Sequence, residues 1–379
     1  MFDIVTFAYE NVPFYKEHYD SHGFHPTDFK KLDDFSKIPI IKKSDLRRFD
    51  ERQRTSSLSN GIKVNTGGTT GSPLGFYLDK HAFAREWAYM HNIWSYLGYS
   101  YLDLKISFRG KSNKGKVLKY NVVHNEYVVD AYVDFSRVVA EIKKVSSREE
   151  IKYIHGYPSS IYAFCNFLRD NNIDSTELFG GSLLGVFLGS EFPVEKYRTL
   201  IESVLQVPSI SWYGHSEMSV LAFEKETKYR YDIFQSYGFC ESVNINEKNH
   251  LVATSFYNNV SPFIRYDTED IIEDEVYDDE ILSSFKISEG RLGESINDVY
   301  GNPISLTALI FGRHHVAFNL IEFIQVEQER NGYANIYIVS KQPISLEMLD
   351  FSNVNIIFTI KQIEEPIKTQ SGKVSLLIK

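Results

Sequence analysis

Residues 65–73 read NTGGTTGSP, with three glycines and three threonines in nine positions. Glycines leave backbone N–H groups unobstructed and threonine hydroxyls add donors between them, the composition of a cradle for phosphate oxygens. The Gly-Lys-Ser/Thr ending of a Walker A loop is missing, and a flexible hairpin is the blander reading. Two further clusters, GSE at 189–191 and YGHSE at 213–217, each follow a strand-like run. Glu217 suits Mg²⁺, a hard cation that takes carboxylate and phosphate oxygens; it would equally charge a helix start. In PFIRYDTED, 262–270, Asp267, Glu269 and Asp270 crowd beside Arg265. An ionised Asp accepts from the two vicinal hydroxyls of a ribose, and an acidic turn after an edge strand is the alternative. Near the end, TQSGKVSLLIK sets Lys373 directly after Gly372, where a solvated lysine is the plain reading.

These side chains need a frame, and the middle of the chain supplies one. LLGVFL (183–188), PVEKYRTLIESVL (193–205) and SISWYG (209–214) read as strand, helix and strand, a βαβ crossover with parallel strands. Open α/β sheets bind ligands at the carboxyl ends of such strands, so Glu191, Tyr213, His215 and Glu217 are predicted to share one crevice. Upstream, IKYIHG and PSSIYAFCNFLRD repeat the alternation, with SREE (147–150) offered as a capping box. Between 79 and 98, Phe83, Trp87, Met90, Trp94 and Leu97 recur at helical spacing behind an N-cap at Asp79. Beyond about 228, alternating Tyr, Phe, Val and Ile with turn residues predict antiparallel strands. EGRLG at 289–293 is a candidate hinge, and the rest reads as a small α+β domain.

The 379 residues are enough for two or three domains. Fifty acids against 41 Lys and Arg give a net charge of −9, which argues against a nucleic-acid binder. Aromatics make up 15% of the chain, so large cores are expected and disorder is not. Two cysteines leave no disulfide framework and no four-thiolate zinc site, and a reducing cytoplasm is the expected location. Neither a signal peptide nor stable membrane insertion is expected. A G-x-S-x-G elbow is absent, and His155, His215, His314 and His315 lack metal-ligand spacing.

Taken in order, the motifs resemble those of the adenylate-forming superfamily. NTGGTTGSP is similar to its Ser/Thr/Gly-rich phosphate loop, YGHSE to its YGxTE motif, RYDTED to YxTGD, GRLGESI to the GR hinge and QSGK to the terminal GK. ENVPFYKEHY, KIPIIKKSDL and HGYPSS narrow the resemblance to the phenylacetate–CoA ligase and CapK-like branch. It implies an α/β fold: a large multi-layered adenylation domain with mixed sheets (1–289) and a small mobile α+β lid (290–379). It also implies that ATP, with Mg²⁺, activates a small carboxylic acid as an acyl-adenylate, which passes to a thiol or amine such as CoA or an amino sugar. By the same resemblance Thr66, Gly67, Gly68, Thr69, Thr70 and Gly71 meet the phosphates, and Gly189, Ser190, Glu191, Tyr213 and Gly214 line the adenine. Asp270 takes the ribose, Arg291 is the hinge arginine, Glu217 holds Mg²⁺ and Lys373 is the catalytic lysine. His155, Tyr157, Pro158 and His215 line the acid pocket. The loop departs from the pattern at Ser72 and Leu74, where relatives commonly carry a lysine, and Glu269 stands where a glycine is usual. A catalytically degenerate nucleotide-binding scaffold of polysaccharide assembly is the competing reading.

Overall fold

Helix Pro158–Asp170 shows how sequence builds the frame. Proline stands at its first position, behind an extended Tyr157, where its missing N–H costs no hydrogen bond. Ile161, Phe164, Cys165 and Leu168 recur at helical spacing and are fully buried. The computed structural model describes residues 2–56, 61–66, 74–111, 113, 115–289, 294–306, 309–310, 313, 315–367 and 375–378. Its contacts divide into two compact units: Met1–Thr66, Leu74–Met90 and Trp212–Gly290 form one, and His91–Ser211 with Arg291–Lys379 make up most of the other.

In the second unit strands Leu104–Phe108, Glu126–Val129, Ile151–Gly156, Gly185–Leu188 and the start of Ser209–Gly214 pair in parallel, with Leu118–Asn121 antiparallel at the edge. The expected βαβ crossover is present, its helix spanning Glu195–Leu205. One face packs Ile106, Ile154, Val186 and Leu188 against Ile161, Phe164, Leu168 and Ile201, each contributing roughly 1.5–3 kcal/mol on burial. A Cβ at Gly156 would lie 2.2 Å from the Phe108 carbonyl oxygen, so no other residue fits between these strands. The same unit contains a four-stranded sheet of Ile357–Gln362, Tyr333–Ser340, Ile321–Arg330 and Leu377–Ile378 over a core that includes Ile324, Val326, Ile336 and Ile338. The buried Gln325 amide donates to the carbonyls of Ile367 and Ser375 and accepts from Ile367 N–H.

In the first unit helices Phe2–Asn11 and Pro13–Ser21 share a core with Ile38, Phe263 and Tyr266. Strands Leu221–Phe223, Arg230–Ile233, Gly238–Ile245, Lys248–Ser255, Tyr266–Asp278 and Ile281–Glu289 pair antiparallel, as the alternation beyond 228 predicts. One local expectation fails. Ser147 closes helix Phe135–Ser146, its N–H bonding back to Lys143, so SREE ends a helix and opens none. The aromatic helix spans Ala82–Ser95, and Asp79 caps the turn that leads into it, its side chain accepting the His81 N–H and its carbonyl the Ala82 N–H. No helix among the described residues is long and apolar enough to cross a membrane.

Candidate active site

Strand Ser209–Gly214 delivers Tyr213 to its carboxyl end, and the turn before Leu221–Phe223 carries His215 and Glu217. The Glu217 side chain is only 7% exposed. Its Oε1 accepts from the Tyr266 hydroxyl at 3.0 Å, and its Oε2 lies 3.1 Å from His215 Nδ1. The Tyr213 hydroxyl donates to Asp270 Oδ2 at 2.6 Å. Each motif thus lends a tyrosine to the other's carboxylate: Tyr213 of YGHSE holds Asp270, and Tyr266 of YDTED holds Glu217. Hydrogen bonds to charged groups are worth about 1.5–3 kcal/mol each, so the two carboxylates are fixed relative to one another before any ligand arrives.

The rest of PFIRYDTED is structural. Arg265 grips Glu241 through two 3.0 Å hydrogen bonds and the carbonyls of Ser36 and Ile38 through Nη1. Asp267 is buried against His250 and accepts the Glu269 N–H. Glu269 has φ 63°, the left-handed region that glycine adopts without cost, which gives a physical reason for glycine at this position in relatives. Its carboxylate is 4.0 Å from Lys43.

Of the phosphate-loop residues only Thr66 is described. It is buried, and its N–H and Oγ1 both bond Leu74, closing the base of the segment. Gly67, Gly68, Thr69, Thr70, Gly71, Arg291 and Lys373 lie outside the described residues.

His155, Tyr157, Pro158, Gly189, Ser190 and Glu191 belong to the second unit. Burial, reinforced by Arg109, Lys105 and His124, holds His155 well below the ordinary histidine value, so the ring is neutral. Tyr157 and Pro158 start helix Pro158–Asp170, and the Gly189 N–H bonds the Gly156 carbonyl. Ser190 has φ 69°, which turns the chain so that Glu191 Oε2 accepts the Ser159 N–H at 3.1 Å. Glu191 therefore caps a helix N-terminus, a packing job that its motif did not reveal. His315 is likewise a packing residue, bonding Leu309 and Asp350.

One further pair of titratable side chains, in the first unit, belongs to no motif. Glu86, from helix Ala82–Ser95, accepts a hydrogen bond from the Tyr237 hydroxyl, and burial raises its carboxyl pKa while the His215 charge opposes the rise. The available signal was a lone acid among the aromatics of AREWAY.

Among the described residues no three His, Cys, Asp or Glu converge into a metal cage. A Mg²⁺ accompanied by phosphates needs only one or two carboxylates, and Glu217 is an oxygen donor of that kind.

No family model matches the chain. Protein CapK of Staphylococcus aureus is 26% identical over 246 residues, covering 63% of this chain and 54% of CapK. Phenylacetate-coenzyme A ligase of Escherichia coli K12 is 38% identical over 68 residues, 17% of this chain and 16% of the ligase. The chain thus spans about half the length of the first relative and less of the second. Among solved structures, 2-hydroxyisobutyryl-CoA ligase with 2-HIB-AMP and CoA in the thioesterification state aligns with TM-score 0.62 at 16% identity, covering 100% of this chain and 87% of that one. Its open conformation gives 0.60 at 15% identity, with 100% and 89% covered. The mixed α/β fold is that of these ligases, and in sequence the chain is similar to CapK and, over a shorter stretch, to phenylacetate-coenzyme A ligase.

Proposed function

We propose that the chain is an ATP-dependent, AMP-forming ligase that activates a small carboxylic acid and transfers the acyl group to CoA or to an amine. The cross-tied pair, Glu217 held by Tyr266 and Asp270 held by Tyr213, carries this reading. In the first half-reaction a carboxylate oxygen attacks the α-phosphorus, an O–P bond forms and the bond to the β-phosphate oxygen breaks, releasing pyrophosphate. Anion meets anion, so positioning and charge neutralisation dominate the barrier. Asp270 would accept from the ribose hydroxyls and Tyr213 would orient it. Mg²⁺, held by Glu217, would neutralise phosphate charge when bound. Thr66 through Gly71 would meet the phosphates and Lys373 the developing charge. Residues 290–379 would act as a lid that brings Lys373 in for adenylation and withdraws it for transfer. The similarity to CapK supports a role in cell-surface polysaccharide biosynthesis by analogy alone.

The first test is pyrophosphate exchange into ATP across a panel of aryl, aliphatic and amino acids with Mg²⁺. Exchange that depends on one class of acid is expected. ATP binding with no exchange under any acid would favour the degenerate scaffold instead. Asp270→Ala is expected to raise the KM for ATP about 10- to 100-fold, the range of a lost hydrogen bond to a charged group, with a smaller effect on kcat. An unchanged KM removes Asp270 from the ribose site.

A further inference from the structure

Just past the carboxyl end of strand Glu126–Val129 stands Tyr132, whose N–H bonds Asp130 Oδ1 at 3.0 Å and whose hydroxyl donates to the Gly110 carbonyl at 3.2 Å. Asp130 is itself buried, and its other oxygen accepts the Asn113 N–H. The phenol is thereby fixed to the parallel strands. Beyond residue 290 the chain brings Arg313 onto it: Nε donates to the Tyr132 hydroxyl at 3.0 Å, and Cζ lies 4.2 Å over the ring. Nη1 donates to the carbonyls of Asp350 and Ser352 at 3.0 and 2.8 Å, so one guanidinium joins the turn at 350–352 to Tyr132. Both sides of the contact lie in the second unit.

Around this contact the seam is loosely filled. Among the described residues Tyr132 is the one member from outside 290–379 of the apolar core built on Ile324, Val326, Ile336 and Ile338. Two adjoining cavities, of about 30 and 20 Å³, share Ala131, Tyr132, Phe135, Pro303 and Ile304 as walls. Strand Pro303–Ser305 thus faces 131–135 across space that would take a water or two, and the dispersion contacts of close packing are forfeited there. Arg313 is incompletely matched as well. Its side chain is only 5% exposed, yet Nη2 has no hydrogen-bond partner among the described residues, which costs free energy. A stacked, charge-assisted bond set in an underfilled seam suits a contact that is made and broken, since little else resists separation.

We propose that Tyr132 and Arg313 form a latch that holds residues 290–379 in one of two working positions, and that Arg313 is through it a positioning residue for Lys373. This rests on the ligase reading above. The link to Lys373 runs through the frame. Arg313 fixes the turn at 350–352, and Phe351 within it stacks on Phe358 of strand Ile357–Gln362, ring centroids 4.3 Å apart. That strand belongs to the sheet from which Gln325 holds Ile367 and Ser375, on either side of Lys373. Breaking the latch transfers population from the latched position to the other. The half-reaction served by the latched position slows, and its counterpart does not.

The test compares full-length wild type, Tyr132→Phe, Tyr132→Ala and Arg313→Lys in single-turnover assays of acyl-adenylate formation and of transfer from preformed acyl-adenylate. Tyr132→Phe keeps the ring and loses the hydroxyl, whereas Tyr132→Ala loses both. The ratio of the two rates is expected to shift about 10-fold in the first and up to about 100-fold in the second, in the same direction. Arg313→Lys keeps the charge without the planar fork and shifts the ratio the same way, and adding Tyr132→Phe to it brings little further change. Hydrogen exchange without substrate reads the seam apart from turnover: amides of 130–133 and 304–306 are expected to exchange faster in Tyr132→Ala. Equal loss in both half-reactions, an unaltered ratio, or unchanged exchange at the seam overturns the latch and leaves the ligase reading intact. No adenylation by the wild type with any acid removes the ligase reading, and with it the role given to Arg313.

Discussion

Lys373→Ala is expected to slow acyl-adenylate formation about 10²- to 10³-fold, the range for removing one preorganised stabiliser of transition-state charge, while transfer from preformed acyl-adenylate to the acceptor stays near wild type. The argument is electrostatic. The acid and the triphosphate are both anions, and charge builds on the leaving pyrophosphate as the bond to the α-phosphorus breaks. With no lysine at Ser72 or Leu74 of the Gly/Thr-rich segment, a larger share of the positive charge falls to Lys373 and to Mg²⁺. In the second half-reaction the acyl C–O bond breaks and charge builds on the departing AMP phosphate, but on the proposed reading Lys373 has been withdrawn by then, so its loss leaves that step untouched. Single-turnover measurement of each half-reaction separates the two effects. Full adenylation by the alanine variant would end the assignment, and equal loss in both steps would point to a folding defect.

The largest stability effect is expected at Arg265→Ala, about 3–5 kcal/mol, the cost of breaking a buried ion pair on one side only. The Arg265 side chain is 8% exposed and satisfies both Glu241 oxygens and the carbonyls of Ser36 and Ile38. Burial raises the Glu241 carboxyl pKa and Arg265 brings it down, so removing the guanidinium strands a carboxylate and two carbonyls together. Arg265→Lys keeps charge but cannot make the paired bonds, and an intermediate loss is expected. Urea unfolding of the three proteins gives the comparison, and a loss below about 1 kcal/mol for the alanine variant would show that water replaces the arginine.

What could be read from the sequence follows from the range of the interactions involved. Helix Pro158–Asp170 and strand Ile151–Gly156 match their segments residue for residue, because strong periodicity and a proline mark their ends locally. SREE misled because a capping signal four residues long does not register the helix already running into it. The site pairs were out of reach for another reason. Tyr266–Glu217 and Tyr213–Asp270 join positions 49 and 57 apart, and nothing in either local pattern assigns a tyrosine to a carboxylate. The acids of 267–270 lie at the start of strand Tyr266–Asp278 and take different partners. Asp267 packs against His250 while Asp270 meets Tyr213, a division that only the twist and bulges of Tyr266–Asp278 decide. The buried polar face of Leu104–Phe108, with Lys105 pushed down to about 8 by burial, shows as alternation in LKISF but belongs to no motif.

Gln325 has a bearing on how the chain tolerates change. One buried amide fastens Ile367 and Ser375, the two positions that flank residues 368–374. One substitution at this position, such as Gln325→Leu, therefore removes three hydrogen bonds together and with them the tie between two main-chain positions that neither local sequence gives a reason to connect.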